Sequence, residues 1–309
     1  MGNPGDPQEN RVLQQIEADF PCYMKDILRA IRQKSISKTG EGIDEMAEWI
    51  ASYLRQLGSE VRTVPGVRAP IIEGTLGDDA CKKRLLLYEL YDTQPATPEG
   101  WRVSPFDPAI TTLPGKGQAI VGRGAFNSKG PLVGFLAVLR AFLDAGVEFP
   151  VNFRFLIEGE EEIGSPSLEP YIRDHRDALS DCDAAFIPYF GTSAKGKTAI
   201  RLGFKGLMLA RLRVEGGDWG GPKDRDLHAM HSAWVDAPGW ELLQALDSLR
   251  SEDGLLAIEE IEASVRGPTD EDRRLLAALA DQLTVDELQS EVGTHRFAVE
   301  GTVSKLLER

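Results

Sequence analysis

The sequence predicts an α/β protein in which a mixed, mainly parallel sheet flanked by helices precedes a smaller α/β region. Three observations predict it. Strand-like and helix-like segments alternate as far as about residue 200. A strongly apolar run, Val151 to Ile157, stops at Glu158-Gly159-Glu160-Glu161-Glu162-Ile163-Gly164-Ser165. This is how a buried strand delivers charge to its C-terminal end, where open α/β sheets place their ligands. After about Ile200 the composition shifts, and loop-forming residues such as Gly216-Gly217-Asp218-Trp219-Gly220-Gly221-Pro222 separate shorter elements.

Each element has its own signal. Val12, Ile16, Phe20, Met24, Ile27, Leu28 and Ile31 recur at helical spacing and predict a helix over 10–33. Met46, Trp49, Ile50, Tyr53, Leu54 and Leu57 form one stripe of a second helix over 44–57, with Gly58 where a C-terminal cap is expected. Strands are predicted over 60–64, 71–76 and 84–91, a hairpin flank over 115–121 and a helix over 131–145. After the strand 151–157 come a helix over 166–179 and a short buried strand over 184–188. Beyond residue 200, Leu209, Leu212 and Val214 predict an amphipathic strand over 207–215. Helices follow over 240–249, 273–283 and 303–307, whereas the charged stretch 251–272 has no clear period.

Composition excludes several classes of function. With 309 residues and 42% hydrophobic content the chain can bury a full core, and its length suggests roughly two domains. The balance of 49 acidic against 35 basic residues gives a net charge of -14, which argues against nucleic acid and anionic membrane as partners. Cys22, Cys81 and Cys182 are few, odd in number and widely separated, so neither a disulfide framework nor a CxxC zinc site is implied. A reducing, cytoplasmic setting fits. The polar N-terminus has no apolar signal region, and no run of about 18 apolar residues occurs.

The acidic cluster carries the chemistry. Adjacent carboxylates repel one another in a low-dielectric cleft and are tolerated there when a cation neutralises them or one stays protonated. A metal ion is the natural resident, and a solvated acidic turn is the bland alternative.

Several segments, in order, resemble the carnosinase-like dipeptidases, with aminoacylase, carboxypeptidase G and succinyl-diaminopimelate desuccinylase as more distant relatives. Tyr88-Glu89-Leu90-Tyr91-Asp92-Thr93-Gln94-Pro95, followed by Trp101, Pro105-Phe106 and Pro108, is similar to YGHYDVQP and its downstream W and PFxP. Gly122-Arg123-Gly124-Ala125-Phe126-Asn127-Ser128-Lys129-Gly130-Pro131 is similar to GRGASDDKGP. EGEEEIGS is unaltered, Gly203-Phe204-Lys205-Gly206 is similar to GxRG, and Asp226-Leu227-His228 is similar to DLHSG. The resemblance implies a zinc-peptidase-like domain over 1–202 that lacks its C-terminal part. It also implies a partial, incomplete lid or dimerisation domain over 203–309. A homodimer, or a heterodimer with a full-length relative, is implied as well.

In that family two zinc ions, bridged by an aspartate and a water, activate the water for attack on an amide carbonyl. By resemblance Glu161 is the general base, Glu162 a metal ligand, Asp92 the aspartate that orients a ligand histidine, and His228 a substrate-binding residue. The departures fall on the ligands. Leu90 stands at the first ligand histidine, Asn127 at the bridging aspartate and Tyr189 at a further ligand aspartate. By the same resemblance, the last ligand histidine would lie in a segment beyond Arg309. With Glu162 alone retained, zinc binding is expected to be weak or absent, since zinc sites need about three or four protein ligands. The four glutamates would then resolve their repulsion through raised pKa values, pairing with Arg123 or Lys129, or exposure to water.

Other histidines carry less. His228 and His231 have an i, i+3 spacing without a third donor, His175 sits in a polar helical stretch read as surface, and His295 has no evident partner. Three functional readings follow. The favoured one is a degenerate member that keeps the fold and acts as a non-catalytic or partner subunit, because the losses fall on ligands while the apolar framework is intact. The alternative is an active metal-dependent hydrolase of a dipeptide or N-acyl amino acid, its site rearranged or completed by another chain. A non-functional fragment is the third.

Overall fold

The structure is a computed structural model that describes residues 6–77, 82–114, 117–189, 200–203, 206–251, 256–297 and 300–307. The chain divides into two units, Met1–Ile200 and Arg201–Arg309.

The first unit opens with α1 (Pro7–Arg32), whose first turn is capped by the Asp6 side chain accepting the N–H of Gln8 at 2.8 Å. In α2 (Ile43–Gln56) the residues Ile43, Met46, Ala47, Ile50, Ala51 and Leu54 are all buried, as the helical stripe predicts. Gly42 precedes α2 with φ 73°, and a Cβ there would lie 2.2 Å from the Lys34 carbonyl oxygen. Only glycine lets the chain turn this tightly from Lys34 into the helix.

Strands β1 (Glu60–Val64), β2 (Ile71–Leu76), β3 (Arg84–Leu90), β6 (Asn152–Glu158) and β7 (Ala184–Phe186) form a mixed sheet in the order β1-β2-β6-β3-β7. The pairings β6-β3 and β3-β7 are parallel, and β1-β2 and β2-β6 are antiparallel. A separate hairpin joins β4 (Ala109–Leu113) to β5 (Gly117–Val121). Its first strand was not expected, and residues 115 and 116 of the predicted hairpin flank lie outside the described residues.

One face of the sheet, with Ile72, Leu87, Phe153, Phe155 and Ile157, packs against α2 and α3 (Lys129–Asp144) through Ile50, Leu54, Leu132, Val133 and Leu136. Each such side chain removed from water contributes about 1.5–3 kcal/mol. Val12 and Tyr23 of α1 meet Ala137 and Ala141 of α3 in a second cluster. The opposite face places Ile71 and Leu156 against Tyr171 of α4 (Leu168–Asp174). The predicted single helix over 166–179 is broken at His175, before α5 (Arg176–Ser180). His175 is half-buried rather than on the surface, its ring stacked on Tyr171 at 4.2 Å.

The second unit contains α6 (Pro238–Ser248), α7 (Glu259–Ser264), α8 (Asp270–Ala280), α9 (Val285–Val292) and α10 (Val303–Leu307). Capping boxes built on Thr269 with Asp272 and Thr284 with Glu287 start α8 and α9. The expected strand over 207–215 carries no ladder. Leu207 and Leu209 are 88% and 89% exposed, and an apolar alternation without a pairing strand has no backbone partners to hold it extended. No helix among the described residues is long and apolar enough to cross a membrane.

Candidate functional site

Parallel β3 and β6 end side by side, Leu90 in register with Glu158, and the N–H of Tyr91 continues the ladder to the Glu158 carbonyl at 2.9 Å. The segment after β3 therefore runs beside the acidic turn after β6, at the carboxyl ends of parallel strands. Gly159 makes the close approach possible. A Cβ there would fall 2.3 Å from the ring of the buried Tyr91, whose hydroxyl donates to the Pro70 carbonyl at 2.7 Å.

The four glutamates have four different environments. Glu158 is buried, its Oε1 accepting from the Tyr88 hydroxyl and from Ser165 Oγ at 2.9 Å, while its Oε2 has no partner among the described residues. Burial raises its carboxyl pKa against those two hydrogen bonds. Glu160 is also buried and binds backbone. It accepts the N–H groups of Arg68, of Ala69 at 2.8 Å and of Ser167 at 3.0 Å. Burial raises its pKa, but the donors from Ser167, Arg68 and Ala69 outweigh that and hold it below the ordinary carboxylate range.

Glu161 and Glu162 lie on a short 3-10 turn, Glu161–Ile163. Glu161 is exposed at its rim, and partial burial followed by the charges of Glu162 and Asp92 pushes its pKa upward. Glu162 is engaged by two side-chain amides. Its Oε1 accepts from Asn127 Nδ2 at 3.3 Å and its Oε2 from Gln94 Nε2 at 3.1 Å, and Gln94 also reaches the Glu162 carbonyl at 2.7 Å. Asp92, fully buried, accepts the N–H of Glu161 at 3.2 Å and of Glu162 at 3.0 Å, and burial raises its pKa.

Pairing of the glutamates with Arg123 or Lys129 does not occur. The Arg123 guanidinium stands 5.1 Å over the Trp101 ring, and the buried Lys129 ammonium donates to the Gln33 carbonyl. Desolvation lowers the Lys129 pKa to about 7. Leu90 is buried at the end of β3, and Tyr189 packs edge-on against Phe126 with ring centres 4.9 Å apart. His228, in the second unit, accepts the N–H of Met230 on Nδ1 at 3.2 Å. Phe204 and Lys205 of the GxRG-like motif, and Cys81, lie outside the described residues.

Asp92, Asn127, Glu161 and Glu162 thus meet at one place. Two residues beside them went unassigned from sequence. Gln94 was part of the matched motif, and its side chain engages Glu162 twice. Glu89 is fully buried next to Leu90, with Oε2 accepting the Leu90 N–H at 2.9 Å and Oε1 without a partner among the described residues. A glutamate next to the end of a strand whose Leu85, Leu86, Leu87 and Leu90 are apolar is its available signal.

Among the described residues, the donors gathered around the acidic turn do not fit a centre of two zinc ions. Among the described residues no group of three or more His, Cys, Asp or Glu side chains is arranged to hold a metal ion. Leu90 offers alkyl carbon, and Glu162 is faced by the neutral amides of Asn127 and Gln94 where two adjacent cations would need a second, bridging carboxylate.

Comparison with known proteins places these features in a lineage. The Cys-Gly metallodipeptidase dug1 of Schizosaccharomyces pombe is 31% identical over 267 residues, covering 81% of this chain and 52% of that protein. The Beta-Ala-His dipeptidase of Rattus norvegicus is 28% identical over 261 residues, 80% of this chain and 50% of that protein. The chain thus spans about half the length of these curated relatives. The solved structure of an M20 family metallo-carboxypeptidase from Sulfolobus solfataricus matches with TM-score 0.75 and 29% identity, over 93% of this chain and 62% of that one. The dipeptidase Dug1p from Saccharomyces cerevisiae matches with TM-score 0.68 and 26% identity, over 96% and 64%. The model of peptidase family M20/M25/M40 matches residues 86–300, and these shared features assign the chain to that family.

Proposed function

We propose that this chain is a dipeptidase-type M20 scaffold that does not assemble the family's metal centre by itself and acts as a non-catalytic or partner subunit. It works in the cytoplasm, as a homodimer or paired with a full-length relative. One observation carries the reading. The retained ligand position, Glu162, is tied by the amides of Asn127 and Gln94, and Asn127 is itself the residue that replaces the bridging aspartate. An amide cannot supply the negative charge that two adjacent dications require, and the Leu90 side chain cannot coordinate. Asp92 is engaged by the backbone N–H groups of Glu161 and Glu162 and so holds the turn, which supports a structural role in place of orienting a ligand histidine.

The second reading keeps activity. Glu161 remains exposed beside Glu162, so a general base and one ligand are present for a site completed by another chain that would act on a dipeptide or N-acyl amino acid. Elemental analysis and an amidase assay with added zinc, manganese or cobalt, on the chain alone and with a full-length relative, separate the two. The non-catalytic reading expects substoichiometric metal and no turnover of its own under either condition. Two equivalents of tightly held metal, or turnover abolished by Glu161→Gln in this chain, would overturn it.

A further inference from the structure

On the sheet face away from α2 and α3, a cavity of about 320 Å³ opens between β1-β2-β6 and α4-α5, lined by Glu60, Arg62, Glu73, Arg154, Tyr171 and His175. Its charges are unequally matched. Glu73 is fully engaged, accepting from Arg62 Nε and from the Tyr171 hydroxyl. His175 is fixed by its Nδ1 contact to the Tyr171 carbonyl at 2.9 Å and by stacking on that ring. Arg154 and Glu60 are not matched. Among the described residues the buried Nε of Arg154 has no partner, and this guanidinium meets the Cys182 thiol but no carboxylate. Glu60 makes no side-chain hydrogen bond or ion pair among the described residues.

The two are placed by register. Glu60 pairs with Thr75, and Thr75 pairs with Arg154, so the unmatched carboxylate and guanidinium stand in one row across three neighbouring strands. Two strand spacings separate their backbones by about 10 Å. The half-buried guanidinium lines the cavity and has no carboxylate partner among the described residues, so an anionic ligand would complete it. Arginine also binds carboxylates in a planar, two-bonded geometry. The cavity volume is at the small end of ligand pockets.

We propose that this cavity binds a small zwitterion of the α-amino acid type, its carboxylate on Arg154 and its ammonium toward Glu60. The site is separate from the acidic turn after β6, and it does not depend on whether that turn holds metal. Calorimetric titration of the purified chain with glycine and with L-alanine tests it, with acetate and methylammonium as single-charge controls. The expected result is saturable binding of the amino acids, weakened about tenfold or more by Arg154→Gln and measurably by Glu60→Gln, with each control bound about tenfold more weakly. Glu60 lies exposed on an edge strand, so its variant keeps the test valid if Arg154→Gln fails to fold. Absence of saturable binding, binding unchanged in both variants, or acetate bound as well as glycine would each overturn the proposal.

Discussion

The Asp92 carboxylate accepts the backbone N–H of Glu162 at 3.0 Å, and in doing so it fixes the turn on which Glu161 and Glu162 sit. Both acceptor oxygens are used, because Oδ1 takes the N–H of Glu161. In Asp92→Asn one oxygen becomes an NH₂ group that faces a donor. The expected loss is about 1–3 kcal/mol of unfolding free energy, measured by urea denaturation. Unchanged stability would mean that the turn is held by other contacts.

A buried glutamate gives a pH signature. Burial raises the Glu89 carboxyl pKa from its ordinary value to about 8. Between the unfolded pKa and the folded one, the native state holds a proton that the unfolded state has released, so stability falls as pH rises through that window. Glu89→Gln removes this dependence. Relative to the parent chain, the variant is expected to gain at least about 1 kcal/mol on going from pH 5 to pH 8.5. Denaturation midpoints of both proteins across that range give the answer, and parallel curves would count against it.

Lys129 acts with the opposite sign. Its pKa is lowered by burial to about 7, so above that value the native state holds the neutral amine while the unfolded chain still carries the proton. Stability therefore rises with pH between about 7 and the unfolded lysine value near 10.4. Lys129→Met is expected to flatten the rise between pH 7.5 and 10. Thermal unfolding of the two chains at matched ionic strength reads it directly.

The helices and most strands of the first unit were legible because their signals are local. The stripe from Met46 to Leu54 names its own buried face, and the apolar run of β6 names its own end. The roles of the glutamates were not legible to the same degree. Glu160 bonds to Arg68 and Ala69, which lie 92 and 91 positions away, and nothing in EGEEE distinguishes it from Glu161. Charge complementarity suggested Arg123 and Lys129 as partners, but an aromatic ring and a backbone carbonyl hold those cations instead. In the second unit, Leu207 to Glu215 has the alternation of a strand without a neighbour to pair with, so pattern alone misled.

Gly159 couples β6 to the acidic turn through a shape constraint. The position a Cβ would take lies 2.3 Å from Tyr91 Cζ, and Tyr91 cannot swing away without losing its burial and its bond to the Pro70 carbonyl. Gly159→Ala is expected to destabilise the chain by about 1–3 kcal/mol, the usual cost of overpacking. Tyr91→Phe in the same background leaves the ring in place and should relieve only part of that loss, which a double-mutant cycle measures.

The ligand positions themselves can be put back. Leu90→His with Asn127→Asp restores an imidazole at the end of β3 and a carboxylate beside Glu162, and the second change also removes the Asn127 amide that now bonds to Glu162 Oε1. Glu162 would then be free on that side, and repulsion between two neighbouring carboxylates would favour a cation between them. The double variant is expected to retain zinc through gel filtration where the parent chain does not. Its affinity should fall as pH drops through the histidine range, because the imidazole must be neutral to coordinate. Each single variant should bind more weakly than the pair, since one added donor leaves the ion with too few ligands. Zinc retention equal in the parent chain and the double variant would show that Leu90 and Asn127 are not what limits this site.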